Sequence, residues 1–248
     1  MGQRIVLASE RRDLWERGLE ATEDVWPEYN LHGDTTNLYW GRLDEDFPDF
    51  QFVLHDEETD EIVAQGYSLP LSWDGSEPGL PAGFDRLLED GFALHEAGGA
   101  PNALSALAIE VPAAHRGRGT SRTMIQAIRA LAARHGFASA LAPLRPVWKE
   151  RYPLAAIDRY AAWTRADGLP FDPWIRMHVA LGAEILRPEP RSLRISGTVA
   201  DWEEWTGMAF PETGEYVFPQ GLAPLAIDRG AGTGLYHEPN VWVVHAAA

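Results

Sequence analysis

The chain has no cysteine. Disulfide frameworks, thiolate nucleophiles and cysteine-ligated zinc or iron-sulfur centres are excluded together, so a covalent nucleophile would have to be another residue type. Also missing is any uninterrupted apolar run of the ~18 residues that a membrane-crossing helix needs. Residues 1–8 show no basic head followed by a long apolar core, and the expectation is a cytoplasmic protein. Positive charge is scarce: 21 Lys and Arg stand against 37 Asp and Glu, for a formal net charge of −16. Such a field repels phosphate backbones and anionic lipid surfaces, so no nucleic-acid or membrane partner is expected. It suits a cationic amine, although acidity also serves solubility alone. Internal repeats and low-complexity tracts are absent as well.

What is present is ordinary globular material, 45% hydrophobic and 23% charged over 248 residues, enough for one α/β domain with an appendage. Apolar periodicity predicts a strand at 4–8, a helix at 11–24, a hairpin of strands at 50–55 and 62–71, and a helix at 84–97. Residues 103–111 form a near-continuous apolar run, as in a strand covered on both faces. Met124, Ile125, Ile128, Leu131 and Ala132 share one face of a helix over 120–134, which the basic turn Arg134-His135 and then Gly136 bring to a stop. A strand at 137–144 follows, then a long polar and aromatic stretch at 145–171 with a helix at 154–165. Asp172 and Pro173 read as an N-cap and first residue of a short helix ending at Gly182. Beyond it the pattern predicts strands at 184–186, 192–196, 216–218, 225–228 and 241–245.

The most informative segment joins the apolar strand to the helix at 120: His115-Arg116-Gly117-Arg118-Gly119-Thr120-Ser121. Gly117 and Gly119 permit a tight turn whose amides approach a ligand closely, and the helix beyond points the positive end of its dipole at an anion. Arg116 and Arg118 offer charge-assisted contacts, and Thr120 and Ser121 offer hydroxyls. A pyrophosphate fits such a turn. No GK[ST] follows, and no third glycine of a dinucleotide fingerprint stands between Gly119 and Met124, so nucleoside triphosphate and NAD both recede.

Ile109-Glu110-Val111-Pro112, followed after three residues by Arg116-Gly117-Arg118-Gly119-Thr120-Ser121, resembles the coenzyme A motif R-x-x-G-x-G/A of the GNAT acyltransferases, with Ser121 where the family prefers Gly or Ala. A second segment, Ile175-Arg176-Met177-His178-Val179-Ala180-Leu181-Gly182-Ala183, resembles the family's late helix A-I-R-L-Y-E-K-L-G-F. The resemblance implies an α/β (mixed α+β) fold with a central mixed, mostly antiparallel sheet flanked by helices. Residues 1–197 would form the acyltransferase domain with a lid-like insertion at 145–171, and 198–248 a β-rich extension packed on it. It implies acetyl-CoA or another acyl-CoA as cosubstrate, no metal, and pantetheine contacts from the backbone around Ile109 and Val111.

By the same resemblance, His178 takes the place of a tyrosine that protonates the departing thiolate, and imidazole is competent for that role; a plain helix-face histidine packed beside Trp174 and Leu181 is the bland alternative. Relatives often carry a base on the coenzyme-facing side of the central strand. Strict alternation puts Ser105, Leu107, Ile109 and Val111 on one face, where only Ser105 is polar, and Glu110 on the other unless a bulge re-aims it. His95, Asp158 and Asp172 are further titratable groups nearby in sequence. Trp148, Tyr152, Trp163 and Trp174 are candidate acceptor contacts in a lid, or alternatively cover a sheet edge or a homodimer contact. Trp202, Trp205, Tyr216, Phe218, Tyr236 and Trp242 read as core of the added β unit. The leading expectation is an N-acyltransferase moving a small acyl group, acetyl first, from coenzyme A to a small-molecule amine. A donor on a carrier protein's phosphopantetheine arm, a non-catalytic acyl-CoA sensor, and a decarboxylating or O-acylating relative stay open.

Overall fold

The computed structural model describes residues 2–248. In chain order its elements are β1 Gln3–Leu7, α1 Arg12–Thr22, α2 Thr36–Tyr39, α3 Leu43–Asp46, β2 Phe52–Asp56, β3 Glu61–Leu71, α4 Gly83–Glu96, β4 Ala103–Glu110 and α5 Thr120–Arg134. They continue as β5 Ser139–Leu144, α6 Ile157–Ala161, α7 Pro173–Ala180, β6 Glu184–Thr198, α8 Val199–Thr206, β7 Gly214–Tyr216, β8 Leu225–Asp228 and β9 Thr233–Ala246. A nine-stranded sheet runs β1-β2-β3-β4-β5-β9-β8-β7, with β6 paired to the other edge of β9. Only β4 and β5 are parallel; every other pair is antiparallel. The mixed, mostly antiparallel fold is the one the motifs implied. Among the described residues no helix is long and apolar enough to cross a membrane.

Both sheet faces are covered. Leu14 and Trp15 of α1 and Leu87, Leu88 and Phe92 of α4 pack on one, while Met124, Ile128, Leu131 and Ala132 of α5 pack on the other. Each large side chain so removed from water contributes roughly 1.5–3 kcal/mol. The tail rings Trp202, Phe218, Tyr236 and Trp242 are all in the first of these cores.

Several elements depart from periodicity. Residues 28–50 fold into four-residue helices and 3-10 turns too short to show a period. The helix predicted at 154–165 shrinks to α6, because residues 163–171 fold back as a small hairpin: Thr164 bridges Pro170, and Gly168 turns the chain at φ 79°. The strands predicted at 184–186 and 192–196 are one strand, β6, whose register shifts at Ile185/Arg187 and Glu189/Leu193; Pro188 lies between the two shifts and Pro190 within the second. Proline cannot donate to a ladder, so it masks strand continuity in the sequence. The strand predicted at 216–218 lies at Gly214–Tyr216. The last strand is far longer than 241–245, and β9 is bonded to β5 on one edge and β6 on the other, so 198–248 includes a central strand of the sheet.

Candidate active site

β4 is where the fold makes room. Tyr67 pairs with Ala108 but the next residue, Ser68, pairs with Ala106, which leaves Leu107 as a bulge. Leu107 and Ala108 consequently both face the core under α1 and α4, while Ile109 and Val111 face α5. Strict alternation is corrected here: beyond the bulge the parity flips and Glu110 falls on the α1 side, beside Trp26. Along the other edge of β4, parallel pairing with β5 stops at Ser105↔Leu141. The strands then diverge, and a cavity of about 520 Å³ occupies the gap. Ile109, Val111, Arg116 and Ser121 line it from the α5 face, Trp26, Trp40, Tyr67 and Glu110 from the α1 face, and Trp174, His178 and His245 beside β5.

The turn at 116–121 has the geometry an anion requires. Gly117 and Gly119 hold φ of 77° and 84°, in the left-handed region that favours glycine, and a Cβ at either would meet nothing within 4 Å. The amides of Gly117, Arg118, Gly119, Thr120 and Ser121 make no backbone hydrogen bond among the described residues. They sit at the positive end of the 15-residue α5. Two predicted ligands are spent on the protein itself: Arg116 Nε donates to Val111 O at 2.9 Å, and Thr120 Oγ1 donates to His115 O at 3.2 Å. Arg116 has other guanidinium nitrogens, whereas the single Thr120 hydroxyl proton is used.

Glu110 accepts a 2.5 Å hydrogen bond from Trp26 Nε1 and is buried. Burial pushes its carboxyl above the usual range, against the opposing pull of bonds from Trp26, Thr22 and Tyr67. His178, on α7, is positioned by a well-made start: Asp172 accepts from the amides of Trp174 and Ile175 at 2.9 and 3.2 Å. Its Nδ1 lies 2.9 Å from Nε2 of His245, and Trp174 packs perpendicular to it at 4.5 Å. Burial and then His245 push His178 down to about 3. Where β9 passes between the ends of β5 and β8, Arg145 Nε donates to the buried Glu238 at 2.9 Å, and Tyr29, Asn30 and Tyr236 also donate to that carboxylate.

Other sequence candidates fall elsewhere. Ser105 is buried off the cavity with its hydroxyl donating to Ala106 O at 3.2 Å, so the one polar group of the alternation argument does not reach the site. Of the lid aromatics only Trp174 lines the cavity. Trp148, Tyr152 and Trp163 instead pack with Tyr160 and Phe171 into a cluster of their own. Asp172 Oδ2 ties that cluster down by accepting from Tyr160 Oη and Trp148 N. Asp172 is thus a cap, Asp158 is exposed, and His95 packs against Phe47 with ring centroids 4.7 Å apart and planes tilted by 56°. Sequence reasoning missed Trp26, Trp40 and Tyr67, which the turns between α1 and β2 and the adjacent β3 carry to the cavity, together with His245 and the Arg145–Glu238 pair. Only contacts distant in sequence mark these residues.

No family model matches the chain. Across 98% of its length it is 31% identical to the arginine N-acetyltransferase avaD of Aspergillus versicolor, 94% of which the match covers. Two solved structures share the fold: the loading GNATL domain of CurA from Lyngbya majuscula, at TM-score 0.59 and 16% identity over 99% of this chain and 98% of that one, and the GphF GNAT-like decarboxylase in complex with isobutyryl-CoA, at TM-score 0.58 and 18% identity over 99% and 100%. Identity at that level over nearly the whole of both proteins, together with the two motifs and the divided β4–β5 pair, shows that the chain belongs to the GNAT superfamily of N-acetyltransferases. It is an acetyltransferase enzyme.

Proposed function

We propose that the protein transfers an acetyl group from acetyl-CoA directly to an amine of a small, guanidinium-bearing acceptor, arginine first. The observation that carries this reading is the single cavity lined from both faces of the sheet through the β4–β5 gap. One end adjoins an anion turn made for a pyrophosphate, and the other is walled by acidic and aromatic side chains. Beyond Ser105 the β4 edge has no partner strand and offers backbone groups to the pantetheine arm. Trp26, Trp40 and Tyr67 present aromatic surfaces to a cation, worth ~0.5–2 kcal/mol each when water is excluded. Glu23 and Glu110 supply negative charge on the same side, and the curated relative is named for arginine.

In this mechanism Glu110 takes the proton of the attacking amine. The nitrogen bonds to the thioester carbon, the carbon–sulfur bond breaks, and His178 donates a proton to the sulfur. Holding both reactants at one opening supplies much of the rate.

The test is thiol release from acetyl-CoA with L-arginine, L-lysine and a monoamine without guanidine, with product mass measured in parallel. Acetylated arginine formed in step with free thiol is the expected result. Binding of acetyl-CoA without thiol release across the panel would overturn the enzyme reading in favour of a sensor. Turnover only with an acetylated phosphopantetheine carrier would reassign the donor.

A further inference from the structure

Two imidazoles on the cavity wall share one hydrogen bond. His178 Nδ1 and His245 Nε2 are 2.9 Å apart, on α7 and β9, and both rings line the cavity. The outer nitrogens, His178 Nε2 and His245 Nδ1, are buried without a partner among the described residues. Burial, with Arg129 as the second cause, pushes His245 down to about 4, as burial and His245 push His178 down to about 3. Each ring therefore carries one proton at neutral pH. A bond between two neutral imidazoles needs one N–H and one lone pair. If His178 Nδ1 donates, both rings hold their proton on Nδ1; if His245 Nε2 donates, both hold it on Nε2. The rings must match. Perpendicular packing of Trp174 on His178 opposes a ring flip that would break the match.

A lone neutral histidine is poorly suited to protonating a thiolate in this wall. Giving up its only proton would leave a buried anion, and gaining a second proton first would make a buried cation; both are penalised by desolvation. A pair escapes both penalties. We propose that His178 and His245 form a charge-neutral proton relay, in which His245 Nε2–H donates to His178 Nδ1, holds the His178 proton on Nε2, and refills that ring as the thiolate leaves. This rests on the reading of His178 as the thiolate's proton donor. As the carbon–sulfur bond breaks and its electron pair stays on sulfur, His178 Nε2–H passes its proton to sulfur. The His245 Nε2 proton moves to His178 Nδ1, and His245 Nδ1, which has no protein partner among the described residues, takes one proton from a water that must enter beside it from the cavity the ring lines. Both rings finish with the proton on Nδ1 and return to the starting form through solvent. Meanwhile the proton that Glu110 took from the amine returns to solvent, so charge balances over the cycle. His245 acts through His178 and is a positioning residue.

The tests use the full chain. Ring nitrogen NMR of the 15N-labelled protein at pH 7 should find both rings neutral with the proton on Nε2; a charged ring, unlike tautomers, or both protons on Nδ1 would overturn the relay. His245→Gln keeps an N–H donor toward His178 but cannot pass a proton on. It should retain the His178 Nε2–H signal and the acetyl-CoA KM within twofold, while kcat falls at least tenfold. Wild-type kcat in His245→Gln, alongside slow turnover in His178→Phe, would sink the relay alone. Wild-type turnover in His178→Phe would sink both the relay and the role of His178 on which it rests.

Discussion

Replacing Glu110 by Gln should remove the base proposed above and leave its pocket standing. The side chains are nearly isosteric, and the amide oxygen can accept the Trp26 Nε1–H bond that the carboxylate accepts at 2.5 Å. Burial raises the carboxyl above its ordinary 4.5, so the folded chain holds this proton more tightly than the unfolded chain does. The linkage sign follows: stability associated with this group is present at low pH and falls as pH rises from the ordinary carboxylate value through the folded one. At pH 8 the wild type bears the cost of a buried charge and the Gln variant does not. The variant should therefore melt at the same temperature or higher at pH 8, and the difference should vanish toward pH 4. Its activity should fall far more than its stability changes. Loss of a positioned general base costs roughly 10²–10⁴ in rate, or about 3–5 kcal/mol of transition-state stabilisation. Affinity for acetyl-CoA should be unchanged, because Ile109, Val111, Arg116 and Ser121 line the opposite side of the cavity. Thiol release at saturating substrates from pH 5 to 9, with calorimetric Kd and melting curves, separates these effects. The wild type should show a rising limb centred above 4.5, and the variant should lose it. A variant within threefold of wild type at pH 8, or one that keeps the limb, would refute the role of Glu110.

Three further substitutions probe the rest of the site. Gly119→Val forces a side chain into φ 84°, costing ~1–2 kcal/mol or more, and points it into the open turn; acetyl-CoA Kd should rise at least tenfold by calorimetry, and an unchanged Kd would remove the phosphate assignment. Arg145→Met strands the buried Glu238 carboxylate, a loss of ~3–5 kcal/mol that Glu238→Gln in the same chain should partly restore in denaturant midpoints. Trp163→Ala removes a ring held 5.0–5.7 Å from Tyr160, Tyr152 and Phe171 and should cost ~3 kcal/mol in stability. Its acceptor KM should stay within twofold, and a tenfold rise would return the lid aromatics to the acceptor site.

The anion turn, the start of α7 and the class of fold are legible from residues adjacent in the chain. Positive-φ glycines, a helix N-terminus and an Asp–Pro cap depend on neighbours only a few positions away, so residue type and spacing suffice to call them. That is why Gly117, Gly119 and Asp172 stand where the motifs imply. Glu110 is different: its face depends on the register of β4 against β3, and a single extra residue at Leu107 reverses the parity of everything after it. His178 could be singled out from a helix motif, but its partner is supplied 67 residues later by β9. The lid aromatics show the converse, because a dense local run of rings satisfied itself within its own cluster rather than in the cavity. Local chemistry determined which ligand end this protein prepares. Only strand pairing across the whole chain decided where β4 and β5 part and which side chains meet in the opening, because hydrogen-bond register and long-range packing are settled between segments and leave no mark on either one alone.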